Sequence, residues 1–186
     1  VRLVRDGEIV KASKRSGKAI TLVTLLEEVP VDAARFLFNS YEANTRIDFD
    51  LDLAVQQDSQ NPVYYVQYAH ARICSILKNL ATDGIQPREC TAEDLALLTA
   101  PEEMELIRHL SSYTGEVQSA AKALDPAKIT KYVMNLSTLF HKFYNACRVK
   151  GSDEALQAAR LYLCTATRTV LENGLELFKV TAPESM

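Results

Sequence analysis

Two stretches of this sequence hold side chains whose types and spacing could do chemistry. In the first, Lys11, Lys14 and Lys18 lie close together with Ser13, Ser16 and Gly17 between them. Small residues let a backbone approach a phosphate, and ammonium groups supply positive charge to transferred phosphoryl oxygens. In the second, Tyr64, Tyr68 and Arg72 recur at i, i+4 and i+8, a single helical stripe, with Tyr65 on the adjacent one and Gln67 beside it. Aromatic faces stack on unpaired bases, and an arginine plane can stack or pair with phosphate. Each pattern also has a plainer reading. A short basic loop can be a solvated surface, and a tyrosine stripe can be amphipathic core with its rings inside and its hydroxyls at the rim.

The elements that must position these groups follow from periodicity and punctuation. Val1–Arg5 and Glu8–Lys11 alternate around Asp6-Gly7, a hairpin turn pair. Thr21–Val29 reads as a short helix ended by Pro30, and Asp32 as the cap of a second one through about Phe38. Residues 39–48 read as polar connection. Asp50 caps a helix over Leu51–Gln57, and Asn61-Pro62 starts the tyrosine helix, which should reach about Ala81. Thr91 opens another, followed by a long helix from Pro101 to about Leu124. Asp125-Pro126 repeats the cap-plus-proline start for a helix to about Val149. Ser152, Asp153 and Glu154 cap the last one, which Asn173-Gly174 punctuates. The expected fold class is mainly α: a small β-hairpin and short-helix piece, then an all-α helical bundle.

Composition bounds the function classes. The 186 residues are 47% hydrophobic, enough for a real core, and hold few Gly and Pro, which favours long helices. No run of about 18 apolar residues exists, so no membrane partner is expected. Residues 1–18 carry six Lys/Arg against two acids, a net of +4, which leaves −7 for the other 168 of a chain at −3. The basic end suits phosphates; the remainder must meet any RNA through a local surface and stacking. Cys74, Cys90, Cys147 and Cys164 show no CxxC or metal-ligand spacing. Their even number allows a disulfide, and the apolar helical periodicity around three of them suits reduced core thiols of a cytosolic protein. Asp48, Asp50 and Asp52 alternate with Phe49, Leu51 and Leu53. Capping and a solvated edge account for them, and no metal site is expected. No GxxxxGK[ST] loop exists, which argues against a kinase-like enzyme.

Longer motifs carry a resemblance. Lys11-Ala12-Ser13-Lys14-Arg15 is similar to the KMSKS loop of class I aminoacyl-tRNA synthetases, with Ala for Met and Arg for Ser. With Asp32-Ala33-Ala34-Arg35, Asp48–Ala54, Tyr65–Arg72, Phe140–Arg148 and the ending Ala182–Met186, nearly the whole chain resembles the C-terminal part of arginyl-tRNA synthetases. The resemblance implies that residues 1–58 end the catalytic core and that 59–186 form the anticodon-binding bundle. It implies that Lys11, Ser13 and Lys14 serve catalysis, with Lys11 and Lys14 on the ATP phosphates. It further implies that Tyr64, Tyr65, Gln67, Tyr68, Arg72, His141, Tyr144, Arg148 and Met186 meet the anticodon arm of tRNA(Arg). ATP and Mg2+ would be substrates of the whole cytoplasmic enzyme, with no tightly bound cofactor and no DNA partner here. The three histidines, His70, His109 and His141, lie in no His-x-Gly-His context, and the chain starts without Met inside an expected strand. A cut piece, inactive alone, is the expectation. The competing reading is a non-catalytic helical module that docks a protein.

Overall fold

Asp6 and Gly7 take positive φ values of +52° and +76°, the backbone that a tight hairpin turn requires and that Gly adopts without strain. The computed structural model, which describes residues 1–10, 21–151 and 153–186, accordingly pairs β1 (Arg2–Arg5) antiparallel with β2 (Glu8–Ile9), Val4 opposite Ile9. A third strand, β3 (Asp48–Asp50), lies parallel on the other edge of β1, with Leu3 opposite Phe49. The connection read as polar therefore ends in a strand. Its driving force is not local: Phe49 is buried and stacks on Phe38 at 4.8 Å, and Arg2 grips Asp48 at 2.6 and 2.7 Å.

The helix starts follow their caps. Thr21 accepts the Thr24 amide to begin α1 (Leu22–Glu28). Next comes α2 (Val31–Phe38), where Asp32 sits inside the first turn rather than capping it. Its carboxylate instead accepts the Thr181 amide at 3.1 Å and the Gln67 side chain at 3.0 Å. Asp50 accepts the Asp52 and Leu53 amides at 2.9 and 3.0 Å, opening α3 (Leu51–Val55), which stops before Gln57. Asn61 caps α4 (Pro62–Thr82) through the Val63 amide and donates to the Ala54 and Gln56 carbonyls, fixing the angle between α3 and α4. Thr91 and Asp94 form a reciprocal capping box on α5 (Ala92–Ala96).

Beyond Pro101 the expected single helix is two: α6 (Pro101–Ser111) and α7 (Tyr113–Ala123). The break at Ser112 has a local cause. The Ser112 amide, the Ser112 hydroxyl and the Tyr132 hydroxyl all donate to the His109 carbonyl, which takes that oxygen out of the regular ladder. Asp125 accepts the Ala127 amide at the start of α8 (Ala127–Ala146). That helix ends three residues before Val149, because Cys147 turns extended and buries Val149 in the core. Asp153 caps α9 (Glu154–Glu176). Asn173-Gly174 does not end it. Gly174 is buried where α9 meets α8, and a Cβ there would lie 2.4 Å from Val133 Cγ1, so the glycine permits the helices' approach.

The core sits around α8, which packs against α4, α6, α7 and α9 and buries Ile129, Val133, Leu136, Phe140 and Phe143. The chain end folds back over α2 and α4. Arg35 donates to the Lys179 carbonyl at 2.6 Å, Thr181 meets Asp32 and Gln67, and His70 Nδ1 donates to the Pro183 carbonyl at 2.8 Å. No helix among the described residues is long and apolar enough to cross a membrane.

Candidate nucleic-acid interface

Helix α4 buries Val63, Val66, Ala69 and Ile73 against the bundle. That choice of face turns the intervening stripe outward. Tyr68 is 42% exposed, while Tyr64, Tyr65 and Arg72 are half-buried. The stripe is thus neither core nor fully solvated. It forms one wall of a groove of about 380 Å³, and the other wall comes from His141 and Asn145 of α8, with Ser59 at the start.

The groove is bound together across the two helices. The Tyr65 hydroxyl lies 3.2 Å from Thr138 Oγ1. The His141 ring stands 5.4 Å from that of Tyr65 and 6.0 Å from that of Tyr68. Arg72 places its guanidinium 4.8 Å over the Tyr144 ring, and one of its terminal nitrogens lies 3.3 Å from His141 Nδ1. A guanidinium only donates, so Nδ1 accepts and carries no proton. Burial, and then the Arg72 cation, push the His141 pKa down, which favours that neutral ring. The Arg72 charge has no carboxylate partner among the described ion pairs. The result is a cation held flat on a ring beside exposed phenol, an arrangement fit for stacking a base and neutralising a phosphate.

Of the residues expected from sequence, Tyr64, Tyr65, Tyr68, Arg72 and His141 line this groove and Tyr144 supports it. Three others lie beside it. The Gln67 amide is engaged by Asp32 and Thr181. Met186 is half exposed and shares with Gln67 and Tyr64 a neighbouring hollow of about 340 Å³. Arg148 borders a third, of about 630 Å³, together with Tyr144 and Lys150. Lys11, Ser13 and Lys14 lie outside the described residues. Asn145 and Ser59 also line the groove and were not among the residues expected from sequence. Asn145, four residues after His141, was within reach of helical spacing; Ser59 carries no local signal.

The remaining chemistry-bearing residues have structural tasks. His109 stacks on Tyr132 at 4.1 Å, and His70 ties down the chain end. All four cysteines are free; burial raises the Cys147 thiol pKa and pushes that of Cys164 to about 12, the opposite of an activated nucleophile. Among the described residues no three His, Cys, Asp or Glu side chains gather as metal ligands. Asp48 pairs with Arg2, Asp50 caps α3, and Asp52 accepts the Asp6 amide at the hairpin turn.

The family model of the DALR anticodon binding domain matches residues 66–186, which hold most of α4 and all of α8 and α9. The chain belongs to this family. It is also 51% identical over all 186 residues to arginine–tRNA ligase of Acetivibrio thermocellus and 52% identical to that of Ruminiclostridium cellulolyticum. It spans 33% of the length of each of these curated relatives. Among solved structures, Thermus thermophilus arginyl-tRNA synthetase aligns with 99% of the chain and 34% of its own, at TM-score 0.79 and 26% identity. The resemblance read from the motifs thus extends along the whole sequence, DALR region and N-terminal piece alike.

Proposed function

We propose that this chain is the anticodon-binding part of an arginine–tRNA ligase and that the α4–α8 groove receives bases of the tRNA(Arg) anticodon loop. The observation that carries this reading is the placement of the Arg72 cation, which meets no carboxylate among the described residues, on Tyr144 beside the exposed face of Tyr68, within the DALR region. Splayed bases stack on the phenol faces, and each such stack contributes about 1–3 kcal/mol. Arg72, with Arg148 just beyond the end of α8, offsets the charge of the loop phosphates. Met186, from its hollow next to Tyr64, borders the same surface.

Residues 1–58 then belong to the end of the catalytic core and 59–186 to the anticodon-binding bundle. In the longer enzyme, Lys11 and Lys14 act on the ATP phosphates with Ser13 beside them, while arginine attacks the α-phosphate and pyrophosphate leaves. ATP and Mg2+ enter as substrates there, and the setting is the cytoplasm.

Titration of the chain with anticodon stem-loops tests the reading. The cognate tRNA(Arg) loop should bind more tightly than one with a changed anticodon, and affinity should fall steeply as salt rises. Equal binding of both loops by a helical chain would exclude it, and salt-insensitive capture of an apolar protein would favour the interaction module instead.

A further inference from the structure

Resting on the anticodon reading, we infer that His141 is a positioning residue that fixes the orientation of Arg72 by accepting its hydrogen bond, so that the groove binds RNA only while this histidine is neutral. Three observations converge on it. Among the described residues Arg72 is held by the Tyr144 face at 4.8 Å and by His141 Nδ1 at 3.3 Å. The ring face sets the plane of the guanidinium, and the acceptor sets its rotation within that plane, leaving the rest of the donor fork for a ligand. His141 is itself held between α4 and its own helix, with Tyr65 and Tyr68 on one side and Phe140 at 5.6 Å. It therefore cannot turn to another partner without disturbing the stacking faces.

The groups around His141 fix the sign of the effect. From α4 it faces Tyr65, Tyr68 and Arg72; from α8 its neighbours are Phe140, Lys142 and Tyr144. Glu102 and Glu105 of α6 line an adjoining trough with Lys142 and with Asn145, which the trough shares with the groove. The charge acting on His141 is the Arg72 cation, and burial adds to it; both lower its pKa. Protonating Nδ1 destroys the acceptor and sets two cations against each other. An ordinary histidine near a phosphate does the reverse, since its protonation strengthens RNA binding. Acid therefore separates the two roles by sign.

The experiment measures affinity for the cognate and a changed tRNA(Arg) stem-loop at constant ionic strength, from about pH 8 to pH 5. The wild-type chain should lose affinity as pH falls below the usual histidine range, and lose discrimination with it. His141→Phe keeps a ring against Tyr65 and Tyr68 but no acceptor; it should bind the cognate loop about tenfold more weakly at pH 8, the loss expected for one hydrogen bond to a charged group. His141→Asn restores an acceptor oxygen near the Nδ1 position, so it should recover most of that loss and show a flat pH profile. Wild-type affinity that rises in acid, or His141→Phe binding like wild type, overturns the positioning role while leaving the groove's function intact. If the wild-type chain discriminates at no pH and Arg72→Ala changes nothing, the anticodon reading itself fails, and this inference falls with it. Should His141→Phe not fold, the wild-type and His141→Asn profiles decide alone.

Discussion

Two arginines join helices of this bundle, and they are satisfied in opposite ways. Arg160 of α9 meets Glu103 of α6 at 2.7 Å, a carboxylate only 1% exposed that also accepts the Ala100 amide, and it donates to the Arg148 carbonyl. Arg72 of α4 meets a neutral imidazole and a ring face. In the first case opposite charges cancel inside the protein, and the contact holds α6, α9 and the end of α8 together. In the second the cation is oriented by a neutral acceptor and no carboxylate among the described residues neutralises it, so its field reaches whatever enters the groove. The lesson is that the partner of an arginine, more than its burial, distinguishes a structural tie from a surface kept ready for a polyanion.

The sharpest way to break this comparison is to remove one carboxylate. Glu103→Ala breaks a largely buried ion pair and leaves the Ala100 amide at the helix start without its acceptor, a loss of about 3–5 kcal/mol in folding stability. Chemical denaturation should record it. At temperatures where the variant remains folded, RNA affinity should equal wild type, because Glu103 does not line the groove. An RNA-binding loss in a fully folded Glu103→Ala chain would merge the two arginine sites into one network and end the distinction.

Tyr68→Ala and Arg72→Ala invert that pattern. Each should weaken binding of the cognate stem-loop by about 1–3 kcal/mol, the range for one stacked base, while circular dichroism stays helical. Tyr68 is 42% exposed and lines an open groove, so its truncation opens no enclosed cavity. A large fall in melting temperature for Tyr68→Ala would return the tyrosine stripe to the core.

Gly174→Ala tests the packing side of the same contrast. Its new methyl meets Val133 at 2.4 Å, and overpacking of this kind costs about 1–3 kcal/mol. Pairing it with Val133→Ala should restore part of the loss. Non-additivity in denaturation of the double variant is the measurement, since neighbours in contact couple.

These sites also mark how much was legible beforehand. Caps were: Asn61-Pro62, Asp50, Thr91 with Asp94 and Asp125 act on amides two or three residues away, and such short-range bonds write themselves into the local pattern. The α4 stripe was legible for the same reason. What escaped was set at long range. Strand β3 exists because Phe49 packs on Phe38 and pairs with Leu3; the Ser112 break exists because Tyr132 competes for a carbonyl; Gly174 looked like a stop signal because its Val133 neighbour is 41 residues away in sequence. In the groove, spacing placed the phenols on one stripe but left its role open, and the His141–Arg72–Tyr144 arrangement spans two helices and has no one-dimensional trace. Gln67 had the right helix but faces the chain end.

The smallest expected effect concerns the basic end. Lys11→Ala and Lys14→Ala remove charge from the segment that holds the chain's positive excess, so a purely electrostatic account of RNA binding predicts a visible loss and a shallower salt slope, about one unit less per phosphate contact removed. A groove that works through the oriented Arg72 and the Tyr68 face predicts almost no change in stem-loop affinity, within about twofold, because anticodon bases do not meet those lysines. The same substitutions placed in an enzyme of the relatives' full length should abolish arginine activation, where ammonium groups must meet developing phosphoryl charge. Salt-dependent titration of the lysine variants, run beside Arg72→Ala, measures which arginine or lysine carries the slope; a loss from the lysines equal to that from Arg72 would assign RNA binding to the basic N-terminal segment as well as to the groove.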